Sequence, residues 1–123
     1  MATHNKNLNN LQVISCKKQE LNKRGIRDFT EWKKGSVLYI GRDMTRYIPD
    51  AVGSKWGNPF NVNKYGRDKC VELYENHIRS TPELWNGLDE LANYRELGCW
   101  CKPESCHGDI LLKLLHEKLE KNN

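Results

Sequence analysis

The sequence predicts an α/β fold, and three observations carry that expectation. Ser36-Val37-Leu38-Tyr39-Ile40 is a compact β-branched and aromatic run closed by Gly41, the pattern of a short buried strand. From Gly66 to Arg79 the residues Cys70, Val71, Leu73, Tyr74 and Ile78 make one broad apolar stripe at helical spacing. Glu96 to Cys101 reads as a second strand that leads into a helix over Ile110 to Lys121. Strand, long loop, helix, helix, strand, helix is the order of a layered α/β unit, in which parallel pairing of the strands is natural.

Taken in order, Met1 to about Asn10 is rich in asparagine and lacks periodicity, as a mobile tail does. Leu11 to Cys16 has the composition of a short strand, and Lys17-Lys18 with Lys23-Arg24-Gly25 reads as a basic turn. Arg27 to Lys34 is too short a pattern to assign. Residues 1–33 are therefore expected to be a basic, partly disordered extension, and residues 34–121 the α/β domain. Gly41 to about Asn63 has no periodicity and contains Pro49, Gly53, Gly57 and Pro59. A structureless connection of that length in a small domain is more often functional than idle.

After the Gly66 helix, Thr81 is placed as an N-cap and Pro82 as the first position of a second helix, with Leu84, Leu88, Leu91 and Ala92 at helical spacing. In the strand that follows, Cys99 and Cys101 project from one face and Trp100 from the other. Pro103 is expected to break the strand and Ser105 to cap the last helix. Cys106 and His107 then fall in the first turn, where the helix dipole favours thiolate. Leu111, Leu114, Leu115 and Leu119 face the core.

Composition narrows the function classes. No apolar run approaches the roughly 18 residues of a membrane span, and no charged-then-apolar leader opens the chain, so no membrane role and an intracellular location are expected. The five cysteines are odd in number, and the three at 99, 101 and 106 are bunched too tightly for a disulfide framework, which fits a reducing compartment. The formal charge of +4 is asymmetric: residues 1–60 hold eleven Lys or Arg against five acids, net +6, and residues 61–123 hold nine against eleven, net −2. A local excess of cations suits phosphate, nucleotide, DNA or RNA, and is also common on ordinary solvated faces.

Two segments carry the candidate chemistry. In the Cys-rich turn, Cys99, Cys101, Cys106 and His107 could ligate a tetrahedral ion such as zinc. Cys106 could instead be a nucleophilic or redox thiol, with His107 and Asp109 as proton-handling neighbours. The third reading is a set of small buried cysteines packing a strand beneath a helix. In the long loop, Arg42, Ser54, Lys55 and Asn58 could hold phosphate or sugar, Gly57 could help form a backbone anion nest, and Trp56 could stack on a base. The alternative is a loop folded over its own Trp and Phe. In open α/β sheets, ligands bind outside the carboxyl ends of the strands, which is where both segments leave.

Tyr39-Ile40-Gly41-Arg42, Ser54-Lys55-Trp56-Gly57-Asn58-Pro59-Phe60, Leu97-Gly98-Cys99-Trp100-Cys101 and Cys106-His107-Gly108-Asp109 together resemble a small family, domain of unknown function 4326, of bacteria, phages and large DNA viruses. The resemblance covers about Val37 to Leu115 and leaves the basic N-terminal third outside. It implies a compact Rossmann-like, three-layer single domain with a short, mainly parallel sheet, and for a viral chain a location in host cytoplasm or nucleus. Its Cys-His helix start is weakly similar to that of Rossmann-like families associated with nucleotides or nucleic acid. The leading expectation is a nucleotide-related or nucleic-acid-related domain that binds a phosphate-bearing ligand between the 41–60 loop and the 101–108 turn. The competing expectation is a non-enzymatic, zinc-stabilised DNA- or RNA-binding module.

Overall fold

A computed structural model describes residues 10–102 and 106–121 of the chain. The expected tail, Asn10 apart, lies outside the described residues, as do Pro103 as strand breaker and Ser105 as helix cap. Three strands, β1 (Gln12–Ser15), β2 (Val37–Tyr39) and β3 (Glu96–Cys99), form a parallel sheet in the order β1-β3-β2. Ser15 pairs with Cys99 and Tyr39 with Gly98, so all three strands end at one edge.

Alternation along the strands builds two cores. Val13, Leu38, Leu97 and Cys99 join the larger one, with helices α4 (Arg67–Ser80), α5 (Pro82–Gly87) and α6 (His107–Lys121) and a 3-10 helix at Leu88–Asn93. Ile14, Val37, Tyr39 and Trp100 join the smaller one, with α1 (Lys18–Lys23) and α2 (Phe29–Trp32). Helices thus cover both faces of the sheet. No helix among the described residues is long and apolar enough to cross a membrane.

Residues 11–33 depart from the expected extension. β1 is a member of the sheet, and Leu21, Phe29 and Trp32 are buried against Tyr39 in the second core. Trp32 Nε1 donates to Glu96 Oε1 at 2.9 Å and Arg24 Nη2 to Glu96 Oε2 at 2.6 Å, which ties this segment to β3. Its apolar residues sit on helices of six and four residues, too short for a 3.6-residue period to show. Gly98 completes the contact: a side chain there would collide with the Trp32 ring and Cys16 Sγ.

The Gly66 helix forms as expected, with Cys70, Tyr74 and Ile78 buried. The next helix differs in two ways. Thr81 occupies the N-cap position, yet its hydroxyl donates back to the His77 carbonyl at 2.6 Å and caps nothing. After Gly87 the chain tightens into the 3-10 helix, where the three-residue spacing of Leu88 and Leu91 still puts both in the core. A short helix, α3 (Val62–Tyr65), ends the long loop and buries none of its residues.

Candidate functional site

β2 ends at Tyr39 and β3 at Cys99, and the segments that leave them meet at a cavity of about 280 Å³. Its floor is Cys99, Cys101, Cys106 and His107, together with Cys70 from α4. Its walls are Gly41, Arg42, Met44, Asn58 and Phe60 from the loop, Asn61 to Asn63, and Arg67 and Val71 at the start of α4.

The floor follows from the strand and the helix start. Cys99 and Cys101 share a face of β3 and its extension, while Trp100 crosses to the second core, where its Nε1 donates to the Tyr39 hydroxyl at 2.6 Å. α6 begins at His107, one residue later than expected, and Cys106 stands at its cap. Gly108 N donates to Cys106 Sγ, and Cys106 N donates to Asp109 Oδ2, each at 3.3 Å. The thiol thus caps the N–H of the second helical residue, while the Asp109 carboxylate reaches back to the N–H of the capping residue.

The three sulfurs of Cys99, Cys101 and Cys106 lie within 4.8 Å of one another, and Cys99 and Cys106 approach to 2.8 Å. Hydrogen bonds from Cys106, Cys99 and His107 hold the Cys101 thiol far below the usual thiol range. The same contacts, with burial, push Cys106 up, and Cys101 likewise raises Cys99. Of the three thiols, Cys101 is the one these contacts favour as thiolate, and it is half-buried rather than buried. His107 Nε2 donates to the Ile40 carbonyl, which can only accept, at 2.7 Å, and its Nδ1 faces Cys106 Sγ at 3.8 Å.

The loop residues are divided by the fold. Arg42 and Asn58 line the cavity; Ser54, Lys55, Trp56 and Gly57 do not. Trp56 is 1% exposed, with its carbonyl accepting from Tyr74 Oη and its Nε1 donating to Glu90, so it has no free face for stacking. Lys55 pairs with Glu90 and covers the Trp56 ring, and Ser54 Oγ accepts from Trp56 N. Gly57 N donates to Ser54 O and Gly53 N to Asp43 Oδ1, which uses up the N–H groups an anion nest would need. Gly57 instead permits close approach, since a Cβ there would stand 3.3 Å from the Gly41 carbonyl. Asp109 is committed to Cys106 N and, through Oδ1, to Lys102 Nζ at 2.7 Å; it does not line the cavity, which removes it as a proton carrier there.

Sequence reasoning missed Met44, Asn61, Asn63, Arg67 and Cys70 as cavity residues. Asn61 is the N-cap of α3, its Oδ1 accepting from Asn63 N at 2.7 Å, so the two stand together at the first turn of that short helix. Cys70 was read as core, and it is buried as well as lining the floor.

No solved structure matches the chain. Uncharacterized protein R718 of Acanthamoeba polyphaga mimivirus is 34% identical over 93 residues, 68% of this chain and 69% of that protein. An uncharacterized 12.4 kDa protein in the nrdA-td intergenic region of Enterobacteria phage T4 is 34% identical over 68 residues, 52% of this chain and 62% of that protein. The family pattern begins at residue 22, upstream of the expected Val37, and so takes in α2 and its buried aromatics. With residues 22–117 matched, well over half its length, the chain belongs to the family described as domain of unknown function (DUF4326).

Proposed function

We propose that the chain binds a phosphate-bearing ligand of nucleotide type in this cavity, in the Rossmann-like manner of a site beyond the carboxyl ends of β2 and β3. The observation that carries the reading is the polarity of the lining. Arg42, Arg67, Asn58, Asn61 and Asn63 contribute to it, and no carboxylate is among the described lining residues. Asn58 and Asn61 each use Oδ1 to accept a backbone N–H, from Phe60 and Asn63, which leaves their amide NH₂ groups as donors. A donor-rich wall suits a ligand rich in acceptors, and Met44, Phe60, Val62 and Val71 offer apolar area to a base. The cavity volume, about 280 Å³, lies just below the usual range for small-molecule sites and so suits a ligand of small size. On the floor, Cys101 and His107 are the groups suited to proton or nucleophile chemistry. A thermal-shift titration with nucleoside monophosphates tests this: a ligand at about 100 times its Kd stabilises by about 2.7 kcal/mol, and Arg42→Ala should need much more ligand for the same shift. Absence of any shift at millimolar concentration rejects the reading.

A second reading rests on the thiol cluster, where Cys99, Cys101, Cys106 and His107 would hold zinc. Tetrahedral Zn–S bonds place ligand atoms about 3.8 Å apart. The 3.8 Å from Cys106 Sγ to His107 Nδ1 suits that, and the Cys99–Cys106 pair has to open by about 1 Å. The Ile40 carbonyl on Nε2 is the kind of second partner that orients a metal-bound histidine. In its non-enzymatic form the metal staples a DNA- or RNA-binding module with exposed Lys17, Lys18, Lys33 and Lys34 as cations. Metal analysis decides it: about one equivalent of zinc, with a lower melting temperature after chelation, is expected. Metal-free protein of unchanged stability overturns it.

A further inference from the structure

Beside the cavity, residues 43–53 form a folded loop rather than a loose one. Met44 N donates to Ala51 O at 2.8 Å, Tyr47 N and Ile48 N donate to Met44 O at 2.9 Å, and Ala51 N donates to Ile48 O at 2.9 Å. Asp43 accepts from Thr45 Oγ1 and Gly53 N, and Asp50 from Thr30 Oγ1, so both acids of the loop are engaged in holding it. Met44, Ile48 and Ala51 turn inward to the second core.

This scaffold presents Tyr47 outward, 73% exposed, the most exposed large apolar side chain described. Val52 on the same loop is 62% exposed, and Arg46 beside Tyr47 is exposed with no ion-pair partner among the described residues. Tyr47 is one turn away from Met44, whose side chain lines the cavity, as does that of Arg42. An exposed aromatic side chain next to an unengaged guanidinium, on a hydrogen-bonded loop that contributes Met44 to the lining of a donor-rich cavity, is the combination by which proteins stack successive bases of an unpaired strand and track its phosphates.

We propose that the ligand is a single-stranded nucleic acid: one nucleotide unit occupies the cavity, the adjacent base stacks on Tyr47, and the intervening phosphate meets Arg46. The inference rests on the cavity taking a nucleotide-type ligand. A duplex does not fit this arrangement, because its bases are stacked on each other and offer Tyr47 no open face.

Fluorescence anisotropy with a dye-labelled, single-stranded hexanucleotide, beside the thermal-shift titration with nucleoside monophosphates, tests the inference. The hexanucleotide should bind at least about tenfold tighter than the mononucleotide, the gain of one stacked base. Tyr47→Ala should lose that gain, Tyr47→Phe should keep most of it, and Arg46→Ala should weaken binding and flatten its salt dependence. None of the three should change mononucleotide affinity, and all should fold, since both side chains are exposed. If mononucleotides bind and the hexanucleotide binds no tighter, or if Tyr47→Ala leaves its affinity unchanged, or if a duplex of the same sequence binds equally well, the inference is wrong while the cavity reading stands. If neither probe binds, both fail together.

Discussion

The Nε2 of His107 lies 2.7 Å from the carbonyl oxygen of Ile40, joining the first residue of α6 to the end of β2. The ring also meets the edge of Tyr74 at 5.0 Å between centroids, and Tyr74 in turn holds the Trp56 carbonyl. One imidazole thus touches the strand that leads into the loop, the helix beneath it and the thiol cluster.

Removing that ring strands a buried carbonyl. His107→Ala should destabilise the fold by about 1–3 kcal/mol from the unsatisfied acceptor alone, read as a shift in the urea midpoint with unchanged slope. A midpoint equal to that of the parent would show that the bond contributes nothing.

The reactive thiol should be Cys101 rather than Cys106. In metal-free protein a brief alkylator pulse near neutral pH should label Cys101 first, because its pKa is depressed and it is half-buried, while Cys106, buried with a raised pKa, should lag. Cys16, pushed up by burial, should lag too. Because the folded pKa lies far below that of a free thiol, the Cys101 rate should hold level between about pH 7 and 9, where a free thiol speeds up. Peptide mapping by mass spectrometry with labelling led by Cys106 would contradict this.

A pH dependence belongs to the surface between α4 and α6. Arg79 donates to both oxygens of Glu117, at 2.7 and 2.8 Å, and holds that carboxyl down to about 2 from 4.5. A depressed carboxyl stabilises the fold above its unfolded pKa and loses that contribution as pH falls through the folded one. Glu117→Gln should therefore lower the melting temperature near pH 6, modestly because the pair is solvent-screened, and match the parent near pH 2. A difference that persists at pH 2 would assign the effect to something other than ionisation.

Trp56 and Gly98 should both behave as packing positions. Trp56→Ala is expected to cost about 3–5 kcal/mol in chemical denaturation, as for other buried aromatics. Gly98→Ala forces a methyl group against Trp32 and Cys16 and should cost about 1–3 kcal/mol or more. A near-neutral Trp56→Ala with lost ligand affinity would restore the stacking role expected from sequence.

Legibility followed the length of the pattern. The fourteen residues of α4 and fifteen of α6 show several helical periods, and the strands at Val37 and Glu96 are dense apolar runs, so these were readable. The six-residue and four-residue helices α1 and α2 were not, because one or two buried side chains among exposed polar residues look like a solvated face. At the site, adjacency in sequence brought Cys99, Cys101, Cys106 and His107 to notice; the fold gathers the three sulfurs into one cluster and leaves His107 beside it, next to Cys106. Trp56 and Lys55 misled for the opposite reason: their partners, Tyr74 and Glu90, are 18 and 35 residues away, and no local pattern announces such a contact.

The strand order has a consequence for the growing chain on the ribosome. β1 and β2 both pair with β3 and not with each other, so neither has a hydrogen-bonding neighbour until residues 96–99 have been made. At roughly 5–20 residues per second, the gap between Tyr39 and Glu96 leaves β2 waiting about 3–12 s. During that interval Val37, Leu38 and Tyr39 are a strand without a hydrogen-bonding neighbour, and only the second-core face, through Leu21, Phe29 and Trp32, has earlier-made side chains to pack on. The central strand arrives last, and with it come Cys99 and, seven residues on, Cys106. Sheet closure and assembly of the thiol cluster therefore fall within the same short stretch of synthesis, and a chain that stalls before residue 96 has neither.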